Sequence, residues 1–167
     1  MKKNLKKGFA KKSLGQNFLQ SPEIRDKILE EAGDLVHKNI LEIGPGLGFL
    51  TTKLLAAKAN LTAVELDERA AETLRRDFGH KPNFQLITGD ILKQDLESLF
   101  TKEGQPQPYA IIANIPYNIT APILKKMLAE TSHKPDFALL MVQKEVADKI
   151  CDSTKRSIKG LSFNASF

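Results

Sequence analysis

The sequence predicts an α/β fold, a parallel sheet covered by helices, and three observations predict it. Short apolar runs alternate with segments of helical spacing along most of the chain. The first of those runs, Asn39-Ile-Leu-Glu-Ile43, opens directly onto a glycine loop, Gly44-Pro-Gly46-Leu-Gly48. An acid, Glu65, closes the next run, Leu61-Thr-Ala-Val-Glu65, about 20 residues further on, the offset at which an acidic side chain meets a ribose in nucleotide-binding folds.

Each element can be justified in turn. Ser21-Pro22-Glu23 places a capping hydroxyl, a proline at the first helical position and an acid in the first turn, and Ile24, Ile28, Leu29 and Ala32 then share one face. Ile40, Leu41 and Ile43 make the unbroken apolar run of a central parallel strand rather than the alternation of a half-wet one. Phe49, Leu50 and Leu54 resume helical spacing, so a helix is expected over 48–57. The intervening glycines allow positive φ and let a ligand approach the main chain, while the helix behind them offers free N–H groups. The spacing Gly-x-Gly-x-Gly lacks the Gly-x-Gly-x-x-Gly step of nicotinamide and flavin enzymes, which separates cofactors only weakly. A structural alternative is that the glycines simply permit tight strand-to-helix packing.

Strand 60–65 and helix 68–78, with Ala70, Ala71, Leu74 and Phe78 inward, continue the βαβα order. Pro82-Asn83 precedes strand 84–88, and Gly89-Asp90 closes it. Asp90 then stands at a strand's C-terminal end, where it either accepts from the exocyclic amine of a base or caps a helical segment at 92–100. Residues 104–108 read as a loop and Tyr109–Ala113 as the fourth buried strand. Its exit, Asn114-Ile-Pro116-Tyr117-Asn118, combines an amide, a proline-fixed turn and an aromatic. Thr120 then starts a helix with Ile123, Leu124, Met127 and Leu128 as a core stripe, followed by strand 137–142 and helix 144–150. Leu161, Phe163, Ala165 and Phe167 alternate like a half-buried strand, and a chain stopping there is expected to be a fragment of a longer protein.

With 167 residues, 41% hydrophobic and 27% charged, the chain suits one main soluble domain. A lone cysteine, Cys151, excludes an internal disulfide, and neither a membrane span nor a signal-peptide core is present in the sequence, so a cytoplasmic monomer is expected. The net charge of +5 is uneven, with six lysines and no acid in residues 1–12. Such an arm either binds phosphates or is a solvated tail; Phe9 and Phe18, which interrupt it, favour contact. His37, His80 and His133 lack ligand spacing, and no metal is expected.

Taken together, Gly15-Gln16-Asn17-Phe18-Leu19, Leu41-Glu42-Ile43-Gly44-Pro45-Gly46-Leu47-Gly48, Glu65, Gly89-Asp90 and Asn114-Ile115-Pro116-Tyr117-Asn118 resemble the motifs of the small-subunit ribosomal RNA adenine dimethyltransferases. These are similar to the erythromycin-resistance methyltransferases of the large subunit. The likeness runs from about Lys11 to Ile150, and it implies a Rossmann-like class I S-adenosylmethionine-dependent methyltransferase with a basic arm at 1–20, a cofactor-binding domain at 21–150 and a truncated tail at 151–167. Family chains continue through two more strands and a helical domain, and the tail matches them loosely, so 151–167 is expected to be disordered or atypically packed. By the same resemblance Asn17, Leu19, Gly44, Gly46, Glu65, Leu66, Asp90, Ile91 and Asn114 would hold the cofactor. Asn114, Pro116 and Tyr117 would be catalytic, and Lys6, Lys7, Lys11 and Lys12 would meet RNA.

The implied reaction dimethylates the exocyclic amines of adjacent adenines near the 3′ end of small-subunit (16S) rRNA, in the 30S pre-ribosomal particle. Asn114 and a carbonyl of Ile115-Pro116 would accept hydrogen bonds from the amine, favouring its pyramidal form, and Tyr117 would stack on the flipped base. A large-subunit resistance methyltransferase and a non-catalytic ribosome-assembly factor are the rivals. A nicotinamide dehydrogenase leaves Asn114–Tyr117 unexplained, and other amine methyltransferases would carry Pro-Pro-Tyr where Ile115 begins.

Overall fold

The computed structural model describes residues 21–115 and 119–153, without the side chains of 149–153. The arm at 1–20, Pro116–Asn118 and the tail from 154 lie outside the described residues, and with them the expectations made there.

The elements run α1 (Pro22–Ala32), β1 (Asn39–Ile43), α2 (Thr51–Ala56), β2 (Asn60–Glu65), α3 (Glu68–Phe78), β3 (Phe84–Thr88), α4 (Leu96–Leu99), β4 (Thr101–Lys102), β5 (Gln105–Pro106), β6 (Tyr109–Asn114), α5 (Thr120–Lys125), β7 (Ala138–Met141) and α6 (Lys144–Ser153). Five strands form one sheet in the order β3-β2-β1-β6-β7, and every pairing in it is parallel. All five therefore end on the same edge. The chain winds outward from β1 to β3, then crosses back to place β6 on the other side of β1. That reversal leaves a crevice between the ends of β1 and β6, where ligands of open parallel sheets bind.

Both faces of the sheet are covered, as the continuous apolar runs require. On one side Ile40, Leu61, Ala110 and Ile112 pack with Ala32, Leu35, Leu50, Leu54 and Leu55 from α1, α2 and their flanks. On the other, Leu41, Ile43, Val64, Ile111 and Ala113 meet Ile91, Leu96, Phe100, Ile123 and Met127.

Where the structure departs from expectation, local chemistry accounts for it. Helix α2 starts at Thr51 rather than at 48, because Gly48 sits at φ +80°, outside the right-handed helical region. The segment expected to be helical over 92–100 is split into a 3-10 turn at 91–93 and the short α4, since Asp90 and Asp95 each turn their carboxylate onto the N–H two residues on. The loop expected at 104–108 begins instead as a hairpin of β4 and β5, with Glu103 and Gly104 at φ 52° and 75°, the positive values a two-residue hairpin turn requires. Residues 126–130 continue α5 as a π-turn, with the Thr131 hydroxyl donating to the Lys126 carbonyl at 3.0 Å. On helix α1 the expected face holds at Ile28, Leu29 and Ala32, which pack on the core, and departs only in the first turn. Ile24 is 47% exposed, while Arg25 turns inward and sets its guanidinium carbon 4.5 Å above the centre of the Phe49 ring.

Candidate functional site: the glycine-loop edge

The site is built where β1, β2, β3 and β6 end. Leaving β1, Gly44, Gly46 and Gly48 all take positive φ, at 65°, 59° and 80°, which only glycine adopts without strain. Gly44 N–H still donates to Val64 O (2.9 Å), so the loop leaves the sheet gradually. The three glycines do different work. At Gly48 a Cβ would lie 2.6 Å from the Phe78 ring, so this residue serves helix packing, the structural role weighed for all three.

Glu65, at the end of β2, holds the loop in place. It is buried, with one carboxylate oxygen accepting from Gly46 N–H at 2.9 Å and the other from Asp67 N–H at 2.8 Å. Burial pushes its pKa up, while those main-chain donors and that of Leu66 pull it down. Each oxygen keeps a second lone pair, so a ribose hydroxyl can donate to it without breaking the loop contact. Next to it Leu66 is 56% exposed, an apolar platform at the mouth of the edge.

Asp90 lies just past β3, where Gly89 N–H donates to Glu65 O at 2.8 Å. Its Oδ1 accepts from Leu92 N–H (2.9 Å), which is the capping role. Ile91 is a core side chain, 5% exposed, so only its main chain can face a ligand. Asn114 ends β6, and Ile115 N–H donates to Met141 O at 3.2 Å, anchoring the exit strand. The β1–β6 pairing ends at Leu41↔Ile111, and three residues beyond that pair stand Gly44 and Asn114, at the two lips of the crevice. Gly44, Gly46, Glu65, Leu66, Asp90 and Asn114 thus converge from four strands. Asn17, Leu19, Pro116, Tyr117, Lys6, Lys7, Lys11 and Lys12 fall outside the described residues.

Sequence reasoning missed a second buried acid. Glu42, on β1, is 2% exposed and accepts from the Thr51 hydroxyl at 2.7 Å, tying the strand to the first residue of α2 beneath the glycine loop. Burial pushes its pKa up to about 8; hydrogen bonds from the Thr51 hydroxyl and N–H oppose the rise and the Glu65 charge adds to it. A charged residue inside an otherwise apolar strand was the available signal. Arg25 was missed as well, and it has no such signal, because its role depends on Phe49 being below it. Asp26 pairs with Arg25 (2.9 Å) and Lys53 (3.6 Å), so α1, the loop and α2 are clamped together.

A parallel sheet in this order, with a positive-φ glycine loop and an acid-closed neighbouring strand at its switch point, defines a Rossmann-like class I S-adenosylmethionine-dependent methyltransferase fold. Among the solved structures that share it are two at 31% identity. The 23S rRNA methyltransferase ErmE superposes with a TM-score of 0.66 at 31% identity, over 82% of this chain and 52% of that one. A dimethyladenosine transferase from Plasmodium falciparum gives 0.67 at 31%, over 81% and 46%.

The family follows from the sequence matches. The model of the ribosomal RNA adenine dimethylases matches residues 8–165, and the chain belongs to that family. Ribosomal RNA small subunit methyltransferase A of Dehalococcoides mccartyi is 43% identical over 145 residues, 87% of this chain and 48% of the relative. The protein of the same name from Synechococcus elongatus is 43% identical over 147 residues, 85% and 53%. The chain therefore spans about half the length of the curated relatives it matches.

Proposed function

We propose that this chain carries the cofactor-binding and catalytic part of an S-adenosylmethionine-dependent enzyme that dimethylates adjacent adenines near the 3′ end of small-subunit rRNA. The observation that carries the reading is the convergence of Gly44, Gly46, Glu65, Asp90 and Asn114 on one crevice. The residues fit the cofactor. The loop brings bare main chain to the crevice, Glu65 offers lone pairs to ribose hydroxyls, Leu66 offers an apolar face to a base, and Asp90, with the main chain of Ile91, offers acceptor and donor groups to its rim.

When bound, S-adenosylmethionine supplies an electrophilic methyl group on sulfur. The chain's own task is to make a poor nucleophile competent, because the adenine amine has its lone pair delocalised into the ring. Asn114 accepts a hydrogen bond from an amine proton through its side-chain oxygen, and a carbonyl of Ile115-Pro116 accepts from the other. This favours the pyramidal nitrogen present only in the transition state. Tyr117 stacks on the extruded base, and Asn17 and Leu19 close the arm over the cofactor. Lys6, Lys7, Lys11 and Lys12 hold RNA phosphates, and the enzyme works as a cytoplasmic monomer on the 30S pre-ribosomal particle. Among the described residues no helix is long and apolar enough to cross a membrane.

The likeness to ErmE keeps a large-subunit substrate as the second reading; the names of the more similar relatives favour the small subunit. Single-turnover transfer of labelled methyl from S-adenosylmethionine to unmethylated small-subunit particles tests the choice. Asn114→Ala is expected to slow transfer by about 10²–10³ while moving cofactor affinity only a few-fold. Transfer to large-subunit RNA alone would overturn the substrate, and no cofactor binding would overturn the site.

A further inference from the structure

Three loops lie side by side along the other edge of the sheet, where β1, β2 and β3 begin. Main-chain bonds join them: His37 N–H donates to Lys58 O (2.9 Å), Asn60 N–H to Lys38 O (2.9 Å) and Leu61 N–H to Asn83 O (2.8 Å). Two side-chain amides reinforce the joints, Asn60 to His37 O at 3.0 Å and Asn83 to Ala59 O at 2.7 Å. Each loop carries one lysine: Lys38, Lys58 and Lys81. The first two are exposed and the third partly so, with His37 and His80 exposed beside them. Among the described residues none of these lysines forms an ion pair. Asp34, the acid in the first loop, accepts from Val36 N–H at 3.0 Å through one carboxylate oxygen, and it stands against the three lysines.

The backbone here is unusual in a telling way. Of the three non-glycine residues with positive φ among those described, two are His37 (57°) and Lys58 (60°). Glycine would relieve both, yet each position carries a basic or ionisable side chain pointing away from the core. Neighbouring strands lie about 4.8 Å apart, so the three lysines line a row about 10 Å long, over which a nucleic-acid backbone presents several phosphates.

We propose that this edge is a second RNA-contact surface, gripping the phosphates of a segment other than the one that delivers the target adenine. The inference rests on the functional reading above and extends it to how the substrate is held. Strands of this length separate the two edges by about 17–20 Å. Because the two edges also face away from each other, RNA touching both must bend around the protein, as the folded RNA of a particle can and a short straight hairpin does not.

The test compares the chain with a Lys38→Gln/Lys58→Gln/Lys81→Gln variant, measuring affinity for unmethylated small-subunit particles and for a short hairpin carrying the target adenines, across salt concentrations. Particle affinity is expected to fall on the order of tenfold, with the salt dependence shallower by about 2–3 in its logarithmic slope. Hairpin affinity should stay within about twofold, S-adenosylhomocysteine binding and the melting temperature should be unchanged, and the corresponding triple Lys→Arg variant should bind particles like the parent. Unchanged particle affinity, or an equal loss on hairpin and particle, overturns the proposal. If the unaltered chain neither binds S-adenosylhomocysteine nor transfers methyl groups, it is the functional reading that fails, and this inference with it.

Discussion

The two edges of the one sheet use the same backbone conformation for opposite ends. At the ends of β1 and β2, positive φ falls on glycines, and the nearby acid, Glu65, turns inward onto main-chain N–H groups, leaving bare backbone at the crevice. At the beginnings of β1 and β2, positive φ falls on His37 and Lys58, and the side chains turn outward. The first arrangement makes room for a ligand that must touch the backbone. The second keeps exposed side chains where the backbone itself needs no such room. At these two edges a left-handed residue is therefore informative only together with its identity: glycine leaves bare backbone at the crevice, whereas His37 and Lys58 keep an exposed side chain.

Substitutions that exchange these arrangements sharpen the contrast. The largest effect is expected at Gly48. Alanine there meets Phe78 at 2.6 Å and must also hold φ +80°, so Gly48→Ala should cost about 2–4 kcal/mol in urea denaturation. Adding Phe78→Leu should recover only the steric part. Full recovery would mean that conformational strain is unimportant there.

Glu42 gives an effect of comparable size, spread over several pH units. Its folded pKa of about 8 lies above its ordinary value near 4.5, so the native state holds a proton that the unfolded chain releases. The stability from the neutral, buried carboxyl is complete below about pH 4.5 and is lost as pH rises through about 8, by up to about 1.4 kcal/mol per pH unit. Denaturation at intervals from pH 5 to 8 should show this slope in the parent and a flatter one in Glu42→Gln. Equal slopes would show that Glu42 is ionised in the native state.

The smallest effect runs the other way. Lys58→Gly should raise stability by about 0.5–1 kcal/mol, because glycine relieves φ 60° at an exposed position. It should do so while weakening particle binding. A stability loss would instead show that the Lys58 side chain is a structural contact.

Much of this was legible beforehand because it depends on short-range rules. Strands β2 and β3, helix α3 and the Ser21 cap match expectation because period, capping and breaker residues agree there. The β4–β5 hairpin was missed because Glu103 is an unfavoured residue for a positive-φ turn. The break at Gln94–Asp95 was missed because a side chain competing with the helix resembles an ordinary cap. The convergence of Glu65, Asp90 and Asn114 was readable, since parallel strands send their C-terminal ends to one edge.

By itself the sequence determined the α/β class, the five sheet strands in chain order, the family and the residues at strand ends, because these follow from local pattern and from motifs in series. Only the tertiary structure decided which glycine faces the crevice and which faces Phe78. It alone showed that Arg25 rather than Ile24 lies inward, that Glu42 is buried against Thr51, and that Lys38, Lys58 and Lys81 share an edge. Each of these depends on a partner distant in sequence, and no local periodicity encodes what a side chain meets once the sheet has closed around it.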